Sequence, residues 1–190
     1  MSMIRTLAPA AVAVLLLAAC TSTPTKPVAP PVQPPAQSTA KMAEANLASA
    51  SATLVSGRLA LVPEPGGVHI TGVIGGLKPG QQAAFHVHER GNCSAVDASS
   101  AGDHFNPTRQ PHGGPGTAAH HLGDMENLQA DARGRSNVDI HLRGVTLGGG
   151  AANDIAGRAL IVHANPDDHR SQPAGNAGAR VACAVIRVTR

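Results

Sequence analysis

Histidine is the residue type in this chain with the most obvious capacity for chemistry: 190 residues include 10 His, but only 3 Cys and no Trp or Tyr. A neutral imidazole is a common metal ligand at physiological pH. Most of the His lie in four short clusters that also contain Asp, Gly or Pro. The clusters are 85–88 with His86 and His88, 102–115 with His104 and His112, 120–124 with His121 and Asp124, and 163–168 with His163. Imidazole nitrogens with one carboxylate suit Zn²⁺ or Cu²⁺, so the sequence predicts a metal site.

The spacing of His86 and His88 is typical of a strand that presents two ligands. Residues i and i+2 of a strand point to the same face, so both rings can contact one ion. The pair alone is a weak signal. The other clusters lie among Gly and Pro, which let a loop turn its side chains inward onto an ion.

The elements that must position these residues are predicted to be short strands. Gly and Pro number 21 and 15, too many for a mostly helical protein and typical of strands joined by turns. Alternating apolar residues in 68–74 indicate a half-buried strand. The sequence therefore predicts one all-β sandwich or barrel with an aliphatic core, in which 41–50 is the best helical candidate. Two long segments that carry the metal-type residues, 89–127 and 164–178, are predicted to be functional loops.

The N-terminal segment indicates export. Residues 1–19 combine Arg5 with an apolar stretch that is too short to span a bilayer and is typical of a signal peptide. The sequence LAAC at residues 17–20 resembles a bacterial lipobox and predicts acylation of Cys20. An ordinary secretory signal is the alternative. Residues 20–46 are predicted to form a Pro-rich tether; a proline-rich recognition ligand is the alternative. The domain, 47–190, would then be anchored to a membrane by lipid on the periplasmic side, and Thr21 favours the outer membrane.

Charge and cysteine content narrow the class of protein further. The net charge of +3 is small and scattered, which argues against a nucleic-acid partner. Export implies an oxidising compartment, where Cys93 and Cys183 remain as an even pair if Cys20 carries lipid. The spacing leaves open whether the two sulfurs meet.

The domain resembles copper/zinc superoxide dismutase of the exported bacterial kind, over about residues 50–190. From His104, the ligand-type residues follow at intervals of eight, nine and three positions, to His112, His121 and Asp124. The resemblance implies a Greek-key β-barrel or sandwich of about eight antiparallel strands with two long functional loops. The motifs that carry it are FHVHE, GNCS, GDHFNP, HGGP, HLGD, GRALIVHANPDD and GNAGARVACAVI.

The same resemblance implies one copper and one zinc per subunit and a role for each matched residue. The implied copper ligands are His86, His88, His104 and His163. The implied zinc ligands are His104, His112, His121 and Asp124. His104 would bridge the metals, Asp167 would link a copper ligand to a zinc ligand, and Cys93 and Cys183 would form a disulfide. Catalysis would depend on His104 and on Arg180, which would attract superoxide beside the copper.

The remaining metal-type residues are interpreted as non-ligands: His69, His120, His141, His169 and Asp168. His69 and His141 fall within strand patterns and are predicted to lie on the surface, while His169 could instead line the substrate channel. The chain departs from the animal enzymes in two places. The stretch between Cys93 and His104 is longer, and 164–178 lacks their Glu and Lys cluster.

The implied activity is dismutation of superoxide to dioxygen and hydrogen peroxide, which would protect the cell envelope. The alternative is an envelope lipoprotein of the same fold that binds copper and zinc without significant turnover. Arg180 argues against that alternative, because metal storage needs no cation to attract substrate. Whether the domain forms a homodimer is left open.

Overall fold

The computed structural model describes residues 36–190, and these are almost entirely strand and loop. The predicted signal peptide 1–19, Cys20 and the tether as far as residue 35 lie outside the described residues. No helix within 36–190 has the length and apolarity needed to cross a membrane. The strands are β1 (Ala43–Ser49), β2 (Ser56–Glu64), β3 (Gly67–Gly75), β4 (Gln82–Ala83), β5 (Phe85–His88), β6 (Leu128–Gln129), β7 (Ser136–Arg143), β8 (Ala159–His163), β9 (Arg180–Val185) and β10 (Arg187–Val188).

Eight of the strands form one sheet in the order β5-β8-β9-β1-β2-β3-β7, with β10 also paired to β1. Strands β4 and β6 form a separate pair, and every pairing between strands is antiparallel. Because β1 lies between β9 and β2, strands from the two ends of the domain are neighbours, as in a Greek key. The predicted all-β antiparallel barrel is confirmed.

The core lies on the inner face of this sheet and is aliphatic, as predicted. Leu61 of β2 is paired with Ile70 of β3, and both are fully buried. The residues on either side of Ile70 are partly exposed, which is the two-residue alternation of a strand. The chain's two aromatic side chains, Phe85 and Phe105, both pack in this core.

Residues 41–50 contain a strand, and the predicted helix is wrong. In β1, Ala43, Ala45 and Leu47 are buried while the residues between them are less so. Helix propensity is a weak preference that tertiary packing overrides, and here β2, β9 and β10 supply the pairing partners. Since β1 begins at Ala43, the predicted domain boundary at residue 47 falls inside this strand.

Each of the two predicted long loops follows a strand that carries predicted His ligands, β5 or β8. Residues 89–127 join β5 to β6 and contain a 3₁₀ turn at Ser99–Ala101, while 164–179 join β8 to β9. A disulfide joins Cys93 in the first loop to Cys183 in β9. The predicted bridge is therefore confirmed, and it fastens the first loop to the sheet.

Candidate metal centre

Four buried His from different parts of the fold form one group, which we call the all-histidine group. His86 and His88 lie on β5, and His163 ends the neighbouring strand β8. His104 lies in the first loop and forms an isolated bridge with His88. One ring nitrogen from each residue lies within 4.8 Å of the others. These are the four residues predicted as copper ligands.

Hydrogen bonding leaves one nitrogen on each ring of this group available to an ion. His88 and His163 each direct Nδ1 to a backbone carbonyl, at 2.9 and 3.3 Å, and their Nε2 atoms lie 3.3 Å apart. His86 Nδ1 and His104 Nε2 are buried with no hydrogen-bond partner within residues 36–190. Buried polar atoms are almost always paired, so these converging nitrogens are what a cation site requires.

His104 also belongs to a second set, the mixed group, with His112, His121 and Asp124. Asp124 Oδ1 accepts a hydrogen bond from His104 Nδ1 at 2.8 Å. The Nδ1 atoms of His112 and His121 lie 3.0 and 3.3 Å from Asp124 oxygens, without hydrogen-bond geometry. These atoms point toward a common centre instead of toward one another. Three imidazoles and one carboxylate suit zinc, and these are the predicted zinc ligands.

Asp167 connects the two groups from the second loop, as predicted. Its buried carboxylate accepts hydrogen bonds from His86 Nε2 at 2.8 Å and from His112 Nε2 at 2.9 Å. Both rings are thereby turned so that Nδ1 faces its group, and a partner of this kind fixes tautomer and orientation. Gly175, at φ +65°, lies so close to this carboxylate that a side chain there would collide with it.

Burial keeps three rings of the all-histidine group neutral, those of His86, His88 and His163. Burial lowers the pKa of His86 to about 4, although the hydrogen bond to Asp167 acts in the opposite direction. Burial also lowers the pKa of His163 to about 3 and that of His88 still further. Metal binding requires neutral imidazole, so these rings release no proton when they bind an ion at neutral pH.

In the mixed group, ion pairing between His112 and two carboxylates outweighs the effect of burial. Burial opposes a charge on His112, but the carboxylates of Asp124 and Asp167 outweigh it and raise the pKa of His112 to about 9. Burial would raise the pKa of Asp124, yet the three imidazoles of the group lower it well below its usual range. A divalent cation can therefore replace the proton on His112 and remain paired with a carboxylate.

Residues 55–186 match the family model for copper/zinc superoxide dismutase (SODC). The chain belongs to this family. It is 43% identical over 136 residues to superoxide dismutase [Cu-Zn] 2 of Aquifex aeolicus, covering 70% of this chain and 80% of that protein. It is 40% identical over 137 residues to superoxide dismutase [Cu-Zn] of Caulobacter vibrioides, covering 70% and 78%. A solved structure of a SOD-like protein from Bacillus subtilis superposes with a TM-score of 0.68 at 32% identity, covering 74% of this chain and 95% of that one.

Membership of the superoxide dismutase family confirms the predicted class of enzyme, an oxidoreductase that acts on superoxide, with copper and zinc as cofactors. The two groups fit those ions, because both present buried, converging donors of the types that copper and zinc accept. The curated relatives are named as dismutases, which favours an enzyme over the alternative of a metal-storing lipoprotein.

Arg180, at the start of β9, stands beside the all-histidine group in this superoxide dismutase fold. Its guanidinium donates hydrogen bonds to the carbonyl oxygens of Ala98 at 2.8 Å and Gly102 at 2.6 Å. Gly102 O is also the acceptor for His88 Nδ1. Two hydrogen bonds therefore fix the charged guanidinium of Arg180 against the first loop. A cavity of about 700 Å³ is lined in part by His88, His104, His163 and Arg180.

Two amide side chains that sequence reasoning missed hold the centre in place. Gln172 Oε1 accepts from the backbone N–H of His112 at 2.9 Å, and its Nε2 donates to His112 O at 2.8 Å. Asn127 makes the same paired contact with the backbone of Asp167, at 2.7 and 2.9 Å. An isolated amide in a loop carries no local sequence signal, so neither contact was predictable.

Three of the predicted non-ligands lie near the centre but outside both groups: His120, His169 and Asp168. Asp168 accepts hydrogen bonds from the backbone N–H groups of Arg170 and Ser171, so it acts as a loop charge. His169 is not among the residues that line the 700 Å³ cavity, and its Nδ1 lies 3.6 Å from Asp167. His169 therefore lies against Asp167, and its placement in the channel stays a prediction.

Proposed function

We propose that the protein converts two superoxide ions and two protons to dioxygen and hydrogen peroxide, at a copper held by the all-histidine group and bridged through His104 to a zinc held by the mixed group. The observation that carries this proposal is the position of His104. Its Nδ1 lies 2.8 Å from Asp124, whereas its Nε2 faces the other group without a partner in 36–190. An imidazole directed at two ion sites is what a bridging ligand requires.

When bound, copper supplies the one-electron exchange that zinc, which has no redox chemistry, cannot supply. The protein's part is to present neutral rings in a fixed orientation. Asp167 orients His86, and backbone carbonyls orient His88 and His163. On the other side, Asp167 and Gln172 fix His112.

His104 is also the proposed carrier of a proton. Its Nε2 is buried beside the cavity, so it can hold a proton whenever it is not acting as a ligand. Nδ1 remains directed toward Asp124 meanwhile, which keeps the ring from turning away. The proton on Nε2 is then transferred to the second superoxide as that ion is reduced to peroxide, and a proton from water completes hydrogen peroxide.

Arg180 is the proposed guide for the substrate anion. Its guanidinium is permanently charged, and two carbonyl oxygens hold it at the cavity. Of the two acidic residues in the second loop, Asp167 accepts hydrogen bonds from two buried His, and Asp168 accepts one from Ser171 in its own turn. Attraction of an anion by a fixed positive charge can raise its association rate by roughly 10–10³-fold.

Metal content and superoxide consumption, measured on the same preparation, test this proposal. We expect one copper and one zinc per chain in the active protein. His104→Gln should retain most of its copper through the other three His, yet consume superoxide at the background rate. Full activity without copper would contradict the copper assignment, and full activity in His104→Gln would contradict the bridging and proton-carrying roles.

We also propose that the enzyme works at the bacterial envelope, tethered to the periplasmic side of the outer membrane by lipid on Cys20. The support is the signal-like segment 1–19, the LAAC sequence and the Pro-rich segment that follows. Cys20→Ser should move the protein from the membrane fraction to the soluble periplasmic fraction. If that variant stays on the membrane, the tether has another origin.

A further inference from the structure

A third cluster of metal-type side chains lies on the outer face of the sheet, which we call the outer cluster: His69, Asp139 and His141. His69 of β3 is directly opposite His141 of β7, and their rings stack with centroids 4.2 Å apart and planes 6° apart. Asp139 precedes His141 by two residues and so shares its face. The two His side chains are 33% and 49% exposed, as predicted for surface residues.

The geometry of the outer cluster differs from that of scattered surface charges. One ligand atom from each of its three residues lies within 4.8 Å of the others. His69 Nε2 and Asp139 Oδ1 are 2.6 Å apart, so two potential ligands already share one proton. Asp139 itself is 78% exposed, which leaves its carboxylate free to adjust around an ion.

Glu64, on β2, is hydrogen-bonded to one member of the outer cluster, His141. Its Oε2 accepts a hydrogen bond from His141 Nδ1 at 2.8 Å, which leaves His141 Nε2 to face a ligand. The other carboxylate oxygen, Oε1, is buried without a hydrogen-bond partner within 36–190, and Arg143 Nη1 lies 3.9 Å from it as an ion pair. Gly67 is paired with both Glu64 and Arg143, so no side chain stands between Glu64 and His141 at that position.

We propose that the outer cluster binds one divalent transition-metal ion, zinc or copper, with Glu64 as the positioning residue for His141. Two imidazole nitrogens and one carboxylate oxygen are donors that both ions accept, and water can complete the coordination. The ion takes the place of the proton between His69 and Asp139, and that proton passes through solvent to His69 Nδ1, so that His69 binds the ion as a neutral imidazole. A carboxylate that holds the second nitrogen of a ligating His is the usual outer support of such a site.

This ion would be a third one, separate from the ions of the catalytic centre. None of the three residues belongs to the all-histidine or mixed group. A cavity of about 310 Å³ borders two of the three residues. Its lining includes Asp139 and His141 from β7, and His120 and Glu126 from the first loop.

Calorimetric titration of the full chain, with copper and zinc already bound at the centre, tests the proposal. Zn²⁺ and Cu²⁺ are added in separate experiments, and elemental analysis after dialysis counts the ions. We expect a third ion in the unmodified protein and only two in His141→Ala. Glu64→Gln should bind the third ion about 10–100-fold more weakly.

Asn137→Ala is the matched control, because it removes an exposed side chain from the same strand without touching a ligand. It should retain the third ion. All of these variants should keep the unmodified rate of superoxide consumption, which shows that they are folded. His69→Gln removes a different ligand of the outer cluster and should also lose the third ion. The proposal is overturned if the unmodified protein stops at two ions, or if His141→Ala and His69→Gln both retain a third.

Discussion

The all-histidine group and the mixed group meet at His104 but are built in opposite ways. Three members of the all-histidine group lie on β5 and β8, whose inner residues are part of the buried core. The mixed group lies in the 89–127 loop, whose only regular element is a short 3₁₀ turn. Their electrostatics also differ: the pKa of His163 is lowered to about 3, whereas that of His112 is raised to about 9.

This difference indicates how each group keeps its arrangement when its ion is absent. Strand residues cannot move far without disturbing the core, so His86, His88 and His163 stay in place, and burial keeps their rings neutral. In the mixed group, protonated His112 substitutes for the cation by pairing with Asp124 and Asp167. We therefore expect loss of copper to change the fold little. Loss of zinc should loosen the loop, because the pairing of His112 with Asp124 and Asp167 does not hold His121.

The largest effect should come from separating the two groups by single substitutions. His88→Gln removes a ligand that belongs to the all-histidine group alone, so copper should bind more weakly and activity should fall while zinc stays bound. The counterpart is His121→Gln, which should lose zinc and retain copper with part of the rate. Elemental analysis and superoxide consumption measure both. If His88→Gln lost zinc as well, the groups would not be independent.

Asp124→Asn should weaken zinc by more than the roughly 10–100-fold that loss of an outer-shell partner costs, since Asp124 is itself a predicted ligand. It should also lower the pKa of His112, because one of the two carboxylates that raise it is gone. Competition with a chelator gives the affinity, and NMR titration of the metal-free protein gives the pKa. Asp168→Asn, which neutralises a carboxylate outside both groups, should leave both values unchanged.

Arg180→Ile should lower the rate about tenfold, at the low end of the range for electrostatic attraction, while both metals stay bound. The rate should also depend less on ionic strength, because salt screens the same attraction. Arg180→Lys restores the charge without the two-carbonyl contact and should recover part of the rate. An Arg180→Ile protein with its metals and its full rate at low salt would contradict the role of Arg180 in guiding substrate.

The smallest effect, on stability alone, concerns the pH dependence of the metal-free protein. His163 has a folded pKa of about 3, below its ordinary value, so its contribution to stability is present above about pH 6.5 and is lost as pH falls. His112 has a raised pKa, so its contribution is present below about pH 6.5 and is lost as pH rises through about 9. Urea unfolding at pH 5, 7 and 9 should show both losses. His163→Gln should reduce the acid loss, and His112→Gln the alkaline one; unchanged profiles would contradict the pKa directions.

Several features were predictable because their cause lies within a few residues. The strand at 68–74 follows from alternation, and the shared face of His86 and His88 follows from their spacing. Segment 41–50 was not predictable in this way, since a run of small residues suits either a helix or a strand. Its partners in β2 and β9 decide that it is a strand.

Residue types and their local order therefore decide the donor chemistry, the positions of the long loops and the class of fold. Packing between distant segments decides which atoms meet. Asp167 contacts His86 across 81 residues and His112 across 55, and Gln172 contacts His112 across 60. Spacing along the chain does not encode such contacts, because they depend on how the second loop folds over the first. The stacked His69 and His141 arise in the same way, from the register of β3 against β7.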